Sequence, residues 1–142
     1  MTRIDFYSNA ASRLLVACQL TAKAFSQGMR VLVFAPDDAV ARSFDRQLWT
    51  FQATGFVPHC MAGDRLSAET PVLITSTIAD TEHDELLMNL GEDCPPAFGR
   101  FRRLVEIVGN EEPERLAGRN RWRHYRDRGY EVNHVDLAKA AR

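Results

Sequence analysis

The segment that most constrains the fold of this chain is residues 31–34, which read Val-Leu-Val-Phe without a polar break. The run has the length of a β-strand, and Pro36 follows it closely. A strand that is apolar at every position must be covered on both faces, as in the centre of a parallel sheet. The sequence therefore predicts a sheet with helices packed on both sides.

Strand-like and helix-like segments alternate along the chain, which is typical of α/β domains. Asn9 is predicted to cap the first helix and Gly28 to follow its end. We expect one three-layer domain over residues 1–142, with a mostly parallel sheet of about five strands flanked by helices. The predicted strands are residues 4–8, 30–35, 72–75, 101–108 and 130–135. Three helices are predicted. The first contains Leu14, Cys18, Ala22 and Phe25, and the others span residues 39–51 and 111–128. Residues 55–63 are predicted to be a loop, and residues 80–90 a short helix or turn.

The loops that bind nucleotides in such folds are missing from this sequence. A phosphate-binding loop needs glycines and a lysine, but residues 8–13 read Ser-Asn-Ala-Ala-Ser-Arg. After the second predicted strand, Asp37 and Asp38 would repel a phosphate. Neither a G-x-G-x-x-G motif nor a nucleophile elbow occurs. We therefore predict a Rossmann-like fold without a nucleotide-binding loop, no enzymatic activity and no cofactor.

Cysteine content and net charge argue against further classes of protein. Three scattered cysteines do not form a disulfide framework, and the adjacent His59 and Cys60 lack a second pair at zinc-site spacing, so no metal is expected. The net charge of −1 does not favour a protein whose main ligand is a nucleic-acid backbone. Without an 18-residue apolar run or a recognisable signal segment, we expect a cytoplasmic protein that does not enter membranes.

A stripe of arginines marks the last predicted helix. At 100° per residue, Arg115, Arg119, Trp122 and Arg126 lie on one face, and Val108 ends the strand before the helix. These residues could form an apolar socket ringed by guanidinium groups, suited to an acidic peptide with a free C-terminal carboxylate. Two other interpretations remain open, namely a solvated basic face with a core tryptophan, and a nucleic-acid groove.

A second candidate surface lies around Trp49, near the end of the second helix. Phe51 and the loop residues Phe56, Val57 and Pro58 follow it closely. An aromatic cluster of this kind could be a protein interface or could close the bottom of the core.

The same segments carry a resemblance to a known family. Residues 45–49 (Asp-Arg-Gln-Leu-Trp) and 55–59 (Gly-Phe-Val-Pro-His) resemble the Leu-Trp and Phe-Val-Pro-His signature of the DNA polymerase III chi subunit family. Residues 6–7 (Phe-Tyr), 28–33, 119–122 and 125–130 are similar to the same family in the same order. The resemblance covers nearly the whole chain and implies an α/β fold without phosphate-binding machinery.

The resemblance also implies two binding faces on a non-catalytic replication subunit. One face binds the psi subunit of the clamp-loader complex, and on this chain it matches Trp49, Phe56, Val57 and Pro58. The other binds the acidic C-terminal tail of the single-stranded-DNA-binding protein. It matches Val108, Arg115, Arg119 and Trp122, and we add Arg126 from the same stripe. The alternative is an α/β domain that binds nucleic acid directly through its arginine-rich C-terminal helix.

Overall fold

A computed structural model describes residues 1–50, 59–61, 70–78 and 83–140 of the chain. Within these residues, seven strands form one sheet in the order β3-β4-β2-β5-β6-β1-β7, and every neighbouring pair is parallel. The strands are β1 (Arg3–Ala10), β2 (Val31–Phe34), β3 (His59–Met61), β4 (Val72–Thr75), β5 (Leu86–Asn89), β6 (Arg103–Gly109) and β7 (Val132–Asp136).

Helices cover both faces of the sheet because its central strands are apolar on both. In β2, Val31 and Val33 belong to the core that includes α1 and α2, whereas Leu32 and Phe34 belong to the core under α3. Among the described residues, no helix is both long and apolar enough to cross a membrane. The helices are α1 (Arg13–Ser26), α2 (Asp38–Thr50), α3 (Glu112–Asp127) and the short α4 (Leu137–Ala140), and a 3-10 turn spans Phe98–Arg100.

The predicted α/β class with a parallel sheet and flanking helices is confirmed, but two strands were missed. Residues 80–90, predicted as a short helix or turn, contain strand β5 between β2 and β6. The predicted loop over residues 55–63 contains strand β3 at the sheet edge. Strands of three or four residues are too short for periodicity to distinguish them from turns.

The predicted boundary of the first helix needs one correction. Asn9 is not the N-cap, because β1 continues to Ala10 through an irregular register and Asn9 adopts a positive φ of 60°. Ser12 caps α1 instead, its hydroxyl oxygen accepting the backbone N–H of Leu15. Gly28 follows the helix with a φ of 79°, as predicted.

The carboxyl ends of β5 and β6 are bonded to the start of α1. In doubly wound folds this edge of the sheet is where ligands usually bind. Here the guanidinium group of Arg13 donates to the carbonyl oxygens of Asn89, Leu90, Gly91 and Ile107 at 2.8–3.3 Å. A cation bonded to four strand-end carbonyls thus stands near the position that a glycine-rich loop takes in a nucleotide-binding protein.

Candidate functional site

A groove of about 600 Å³ runs between α3 and the paired strands β1 and β7. It lies towards the carboxyl ends of the strands, since the lining includes Asn9, Gly109 and Asp136, at or next to the last residues of β1, β6 and β7. Its walls are formed by Phe6, Ser8, Asn9, Val108, Gly109, Arg115, Gly118, Arg119, Trp122, Arg123, Arg126, His134 and Asp136.

One wall of the groove is strongly basic. Arg115, Arg119, Arg123 and Arg126 all line it from α3, and each is exposed. Within the part of the chain that the structure describes, none of these four guanidinium groups makes a hydrogen bond or an ion pair. Their donors therefore remain available to a ligand.

The floor of the groove is apolar and closely packed. The Trp122 ring is half-buried and meets Phe6 edge-on, with ring centroids 5.1 Å apart. Gly118 lets α3 approach β6, because a Cβ atom at that position would lie 2.7 Å from Cγ2 of Val108. The close packing of the floor therefore depends on glycine, which has no side chain, at position 118 of the helix.

The five residues predicted for this site, Val108, Arg115, Arg119, Trp122 and Arg126, are brought together around the one groove. Trp122 contributes to the core under α3 and also lines the groove. Val108 was expected near the start of α3, but it contacts the middle of the helix at Gly118. This central position makes Val108 part of the floor.

The wall opposite the arginines was not anticipated from the sequence. The Nε2 atom of His134 lies 2.6 Å from the Ser8 hydroxyl oxygen, and the imidazole meets the Trp122 ring edge-on at 5.9 Å. Asn9 donates to the Asp136 carboxylate at 2.8 Å, and this hydrogen bond lowers the pKa of Asp136. Parallel pairing of β1 with β7 creates this wall from residues far apart in the chain.

A buried polar network lies beneath α3. The fully buried Glu106 accepts hydrogen bonds from Nε of Arg121 at 2.9 Å, from the Tyr125 hydroxyl at 2.5 Å and from the Asn89 amide at 3.0 Å. Burial raises the pKa of Glu106, and the nearby Arg121 guanidinium opposes that rise. Burial also raises the pKa of Tyr125, so its hydroxyl keeps the proton that it donates. The network ties α3 to β6 and β5.

One sequence signal could have revealed this network. Glu106 stands between apolar residues in β6, and an acidic residue inside an apolar strand requires a buried partner. The spacing of Arg121 and Tyr125 puts both on one helix face, but periodicity alone does not identify the strand residue that they meet.

The second candidate surface is described only in part. Trp49 is 49% exposed at the end of α2, and its ring lies 4.4 Å from the buried His59 ring in β3. The other residues predicted for this surface, Phe56, Val57 and Pro58, lie outside the described residues, as does Phe51. Trp49 belongs to the sheet edge formed by β3 and β4, whereas α3 packs near the opposite edge.

No cluster of three or more potential metal ligands occurs among the residues with described positions.

Comparison with known families then identifies the chain. The family model described as "DNA polymerase III chi subunit, HolC" matches residues 1–133. The chain belongs to the DNA polymerase III chi subunit family. This family membership assigns it to the accessory subunits of a DNA-replicating polymerase.

Curated relatives agree with the assignment to the chi family. The DNA polymerase III subunit chi of Pseudomonas aeruginosa is 38% identical over 134 residues, which cover 92% of this chain and 93% of the relative. The subunit of the same name from Escherichia coli strain K12 is 28% identical over 119 residues, or 83% of this chain and 81% of the relative.

A solved structure shares the fold of this chi-family chain. It is the C-terminal domain of Saccharomyces cerevisiae Dbp5, solved with Gle1 and IP6, and it aligns with a TM-score of 0.62. The alignment covers 95% of this chain and 90% of the yeast domain at 12% sequence identity. At this identity the likeness concerns the fold alone.

Proposed function

We propose that this chi-family subunit is a cytoplasmic, non-catalytic adaptor. It links the clamp-loader complex, through a psi subunit, to the acidic C-terminal tail of the single-stranded-DNA-binding protein. The observation that carries the proposal is the groove beside α3. Exposed arginines without partners among the described residues stand over an apolar floor, in a chain that belongs to the chi family.

The two parts of the groove suit two parts of an acidic tail. Arg115 and Arg119 attract the tail's aspartates and its terminal carboxylate, whereas Val108 and Trp122 contact the last apolar side chain. A charge-assisted hydrogen bond contributes about 1.5–3 kcal/mol when it is partly desolvated and less when exposed. A few such bonds with one buried side chain are consistent with a dissociation constant of about 1 µM. Arg126 extends the basic wall along the tail.

The charge distribution favours a short acidic peptide over a nucleic-acid strand. The net charge of the chain is −1, and the groove itself includes the carboxylate of Asp136. The first turn of α3 adds Glu112 and Glu114 close to Arg115. A long phosphate backbone would meet these carboxylates, while a short tail can stay among the arginines.

Fluorescence polarisation of a labelled acidic peptide ending in Asp-Ile-Pro-Phe tests this proposal. We expect micromolar binding with a free C-terminus and at least about tenfold weaker binding when the terminus is amidated, because one charge-assisted contact is lost. A labelled single-stranded oligonucleotide serves as the competing ligand. Tight oligonucleotide binding without peptide binding would replace the adaptor role by direct nucleic-acid recognition.

The psi-binding part of the proposal concerns the other sheet edge. An exposed tryptophan is a frequent anchor of protein interfaces, and Trp49 is supported by the buried His59 ring. We expect Trp49→Ala to abolish co-purification with the psi subunit from the same genome, while peptide binding at the groove stays unchanged. Retained co-purification would exclude Trp49, and with it the proposed position of the psi interface.

A further inference from the structure

We infer that His134 is a specificity-determining residue of the groove, through which proton uptake strengthens the binding of a carboxylate-ended peptide. This inference rests on the proposed tail-binding function. The imidazole lies on the wall opposite the arginines, where Nε2 is 2.6 Å from the Ser8 hydroxyl oxygen and the ring meets Trp122. It is exposed, so its protonation does not require the protein to unfold.

Protonation of His134 changes the chemistry of this wall in two ways. It adds a positive charge to a groove that already has four exposed arginines. It also fixes Nε2 as a donor to Ser8, because both ring nitrogens of an imidazolium carry hydrogens. The hydrogen of the Ser8 hydroxyl is then free to be donated to a ligand carboxylate. A neutral imidazole can instead accept that hydrogen at Nε2.

The charged groups around His134 come from its own strand, from α3 and from α4, where Lys139 interacts electrostatically with Asp136. On its own strand, Asp136 lines the same groove, and its carboxylate interacts electrostatically with His134. Strand β1 contributes the uncharged Phe6, Ser8 and Asn9 near this point. Helix α3 contributes the positive charges of Arg115, Arg119, Arg123 and Arg126.

A bound carboxylate shifts this balance towards the protonated imidazole. Proton binding and peptide binding affect each other reciprocally. If the imidazole binds a proton more readily in the complex, the peptide is also bound more tightly at low pH. Histidine titrates between about pH 5 and 8, whereas aspartate and a C-terminal carboxyl stay ionised above about pH 5. The ligand therefore keeps its negative charge, while protonation adds a positive charge to the groove.

The test is a titration of the same labelled peptide at several pH values from about pH 8 to about pH 5.5. We expect the affinity of the unmodified protein to rise about threefold to tenfold over this range, as one charge-assisted contact is added. His134→Gln keeps a hydrogen-bonding side chain beside Ser8 but cannot take up the proton, so its affinity should be nearly independent of pH. His124→Gln is the matched control, because His124 lies on α3 against Phe98 and does not line the groove.

The outcomes separate this inference from the proposal beneath it. A pH-dependent affinity that disappears only in His134→Gln supports the inference. An affinity that does not change with pH, or the same slope in His134→Gln, overturns the role of His134 and leaves tail binding intact. Absence of peptide binding at every pH overturns both.

Discussion

Helix α3 presents arginines on two faces with opposite environments. On the inner face, Arg121 is 3% exposed and bonded to Glu106. On the outer face, Arg115, Arg119 and Arg126 are exposed and line the groove without a partner among the described residues. The residue type is the same, but the inner arginine is buried with a carboxylate partner and the outer arginines are not.

The difference teaches that an arginine contributes to the fold where its guanidinium group is buried and bonded to other parts of the chain. The inner pair cannot lose one member without leaving the other buried and unmatched. The outer arginines are already solvated, so their loss should leave the fold intact and change only what the groove binds. Stability and recognition are therefore separable within one helix.

The strongest test of this separation is Arg121→Met compared with Arg119→Met. Removing Arg121 leaves Glu106 buried without its ion-pair partner, which should lower the free energy of unfolding by about 3–5 kcal/mol. The same substitution at Arg119 should change it by no more than about 0.5 kcal/mol. Urea denaturation measures both. Equal losses would show that the two faces do not differ as described.

The converse test concerns affinity for the acidic peptide. Arg119→Ala should weaken binding about 10- to 100-fold, through the loss of about 1.5–3 kcal/mol of charge-assisted interaction. Arg128→Ala is the control, because Arg128 is exposed just beyond α3 and does not line the groove. Equal weakening of peptide binding by both variants would show that general positive charge, rather than this groove, attracts the peptide.

A smaller effect should arise at Gly118, where the two faces meet. Gly118→Ala places a methyl group 2.7 Å from Cγ2 of Val108, whose β-branched side chain cannot easily rotate away. We expect a net loss of about 1–2 kcal/mol in the free energy of unfolding, since overpacking outweighs the better helix propensity of alanine.

A double-mutant cycle identifies the cause of this effect. In a Val108→Ala background the obstructing methyl groups are absent, so Gly118→Ala should cost less or become stabilising. An unchanged cost would mean that the close approach of α3 to β6 is not what requires glycine there.

The smallest effect should come from salt. Raising the ionic strength from about 0.05 M to about 0.5 M should weaken peptide binding about fivefold, because it screens charges that act through solvent. The stability difference between the unmodified protein and Arg121→Met should change by less than about 0.5 kcal/mol, since buried pairs are screened little. Peptide affinity that stays flat with salt would remove the electrostatic part of the proposal.

Much of this molecule could be predicted from local patterns. The apolar run at residues 31–34 required a covered parallel sheet, and the spacing of Arg115, Arg119 and Trp122 required a common helix face. The sequence also contained the resemblance that leads to the chi family, because that signature is a matter of residue order alone.

Short strands and long-range partners could not be predicted in this way. Strands β3 and β5 are too short to show periodicity, and their identity depends on the neighbours with which they pair. The wall formed by Ser8 and His134 depends on parallel pairing across 126 positions of sequence.

The sequence by itself determined which helix faces are apolar, which are basic and where a phosphate-binding loop is missing. Tertiary structure alone decided which arginine is neutralised and which is available, since that depends on whether a carboxylate from another element reaches it. Glu106 reaches Arg121 because β6 passes beneath that face of α3, and none of the described carboxylates forms an ion pair with Arg119. Charge is a property of the residue, but its solvation and its partners are properties of the packed fold.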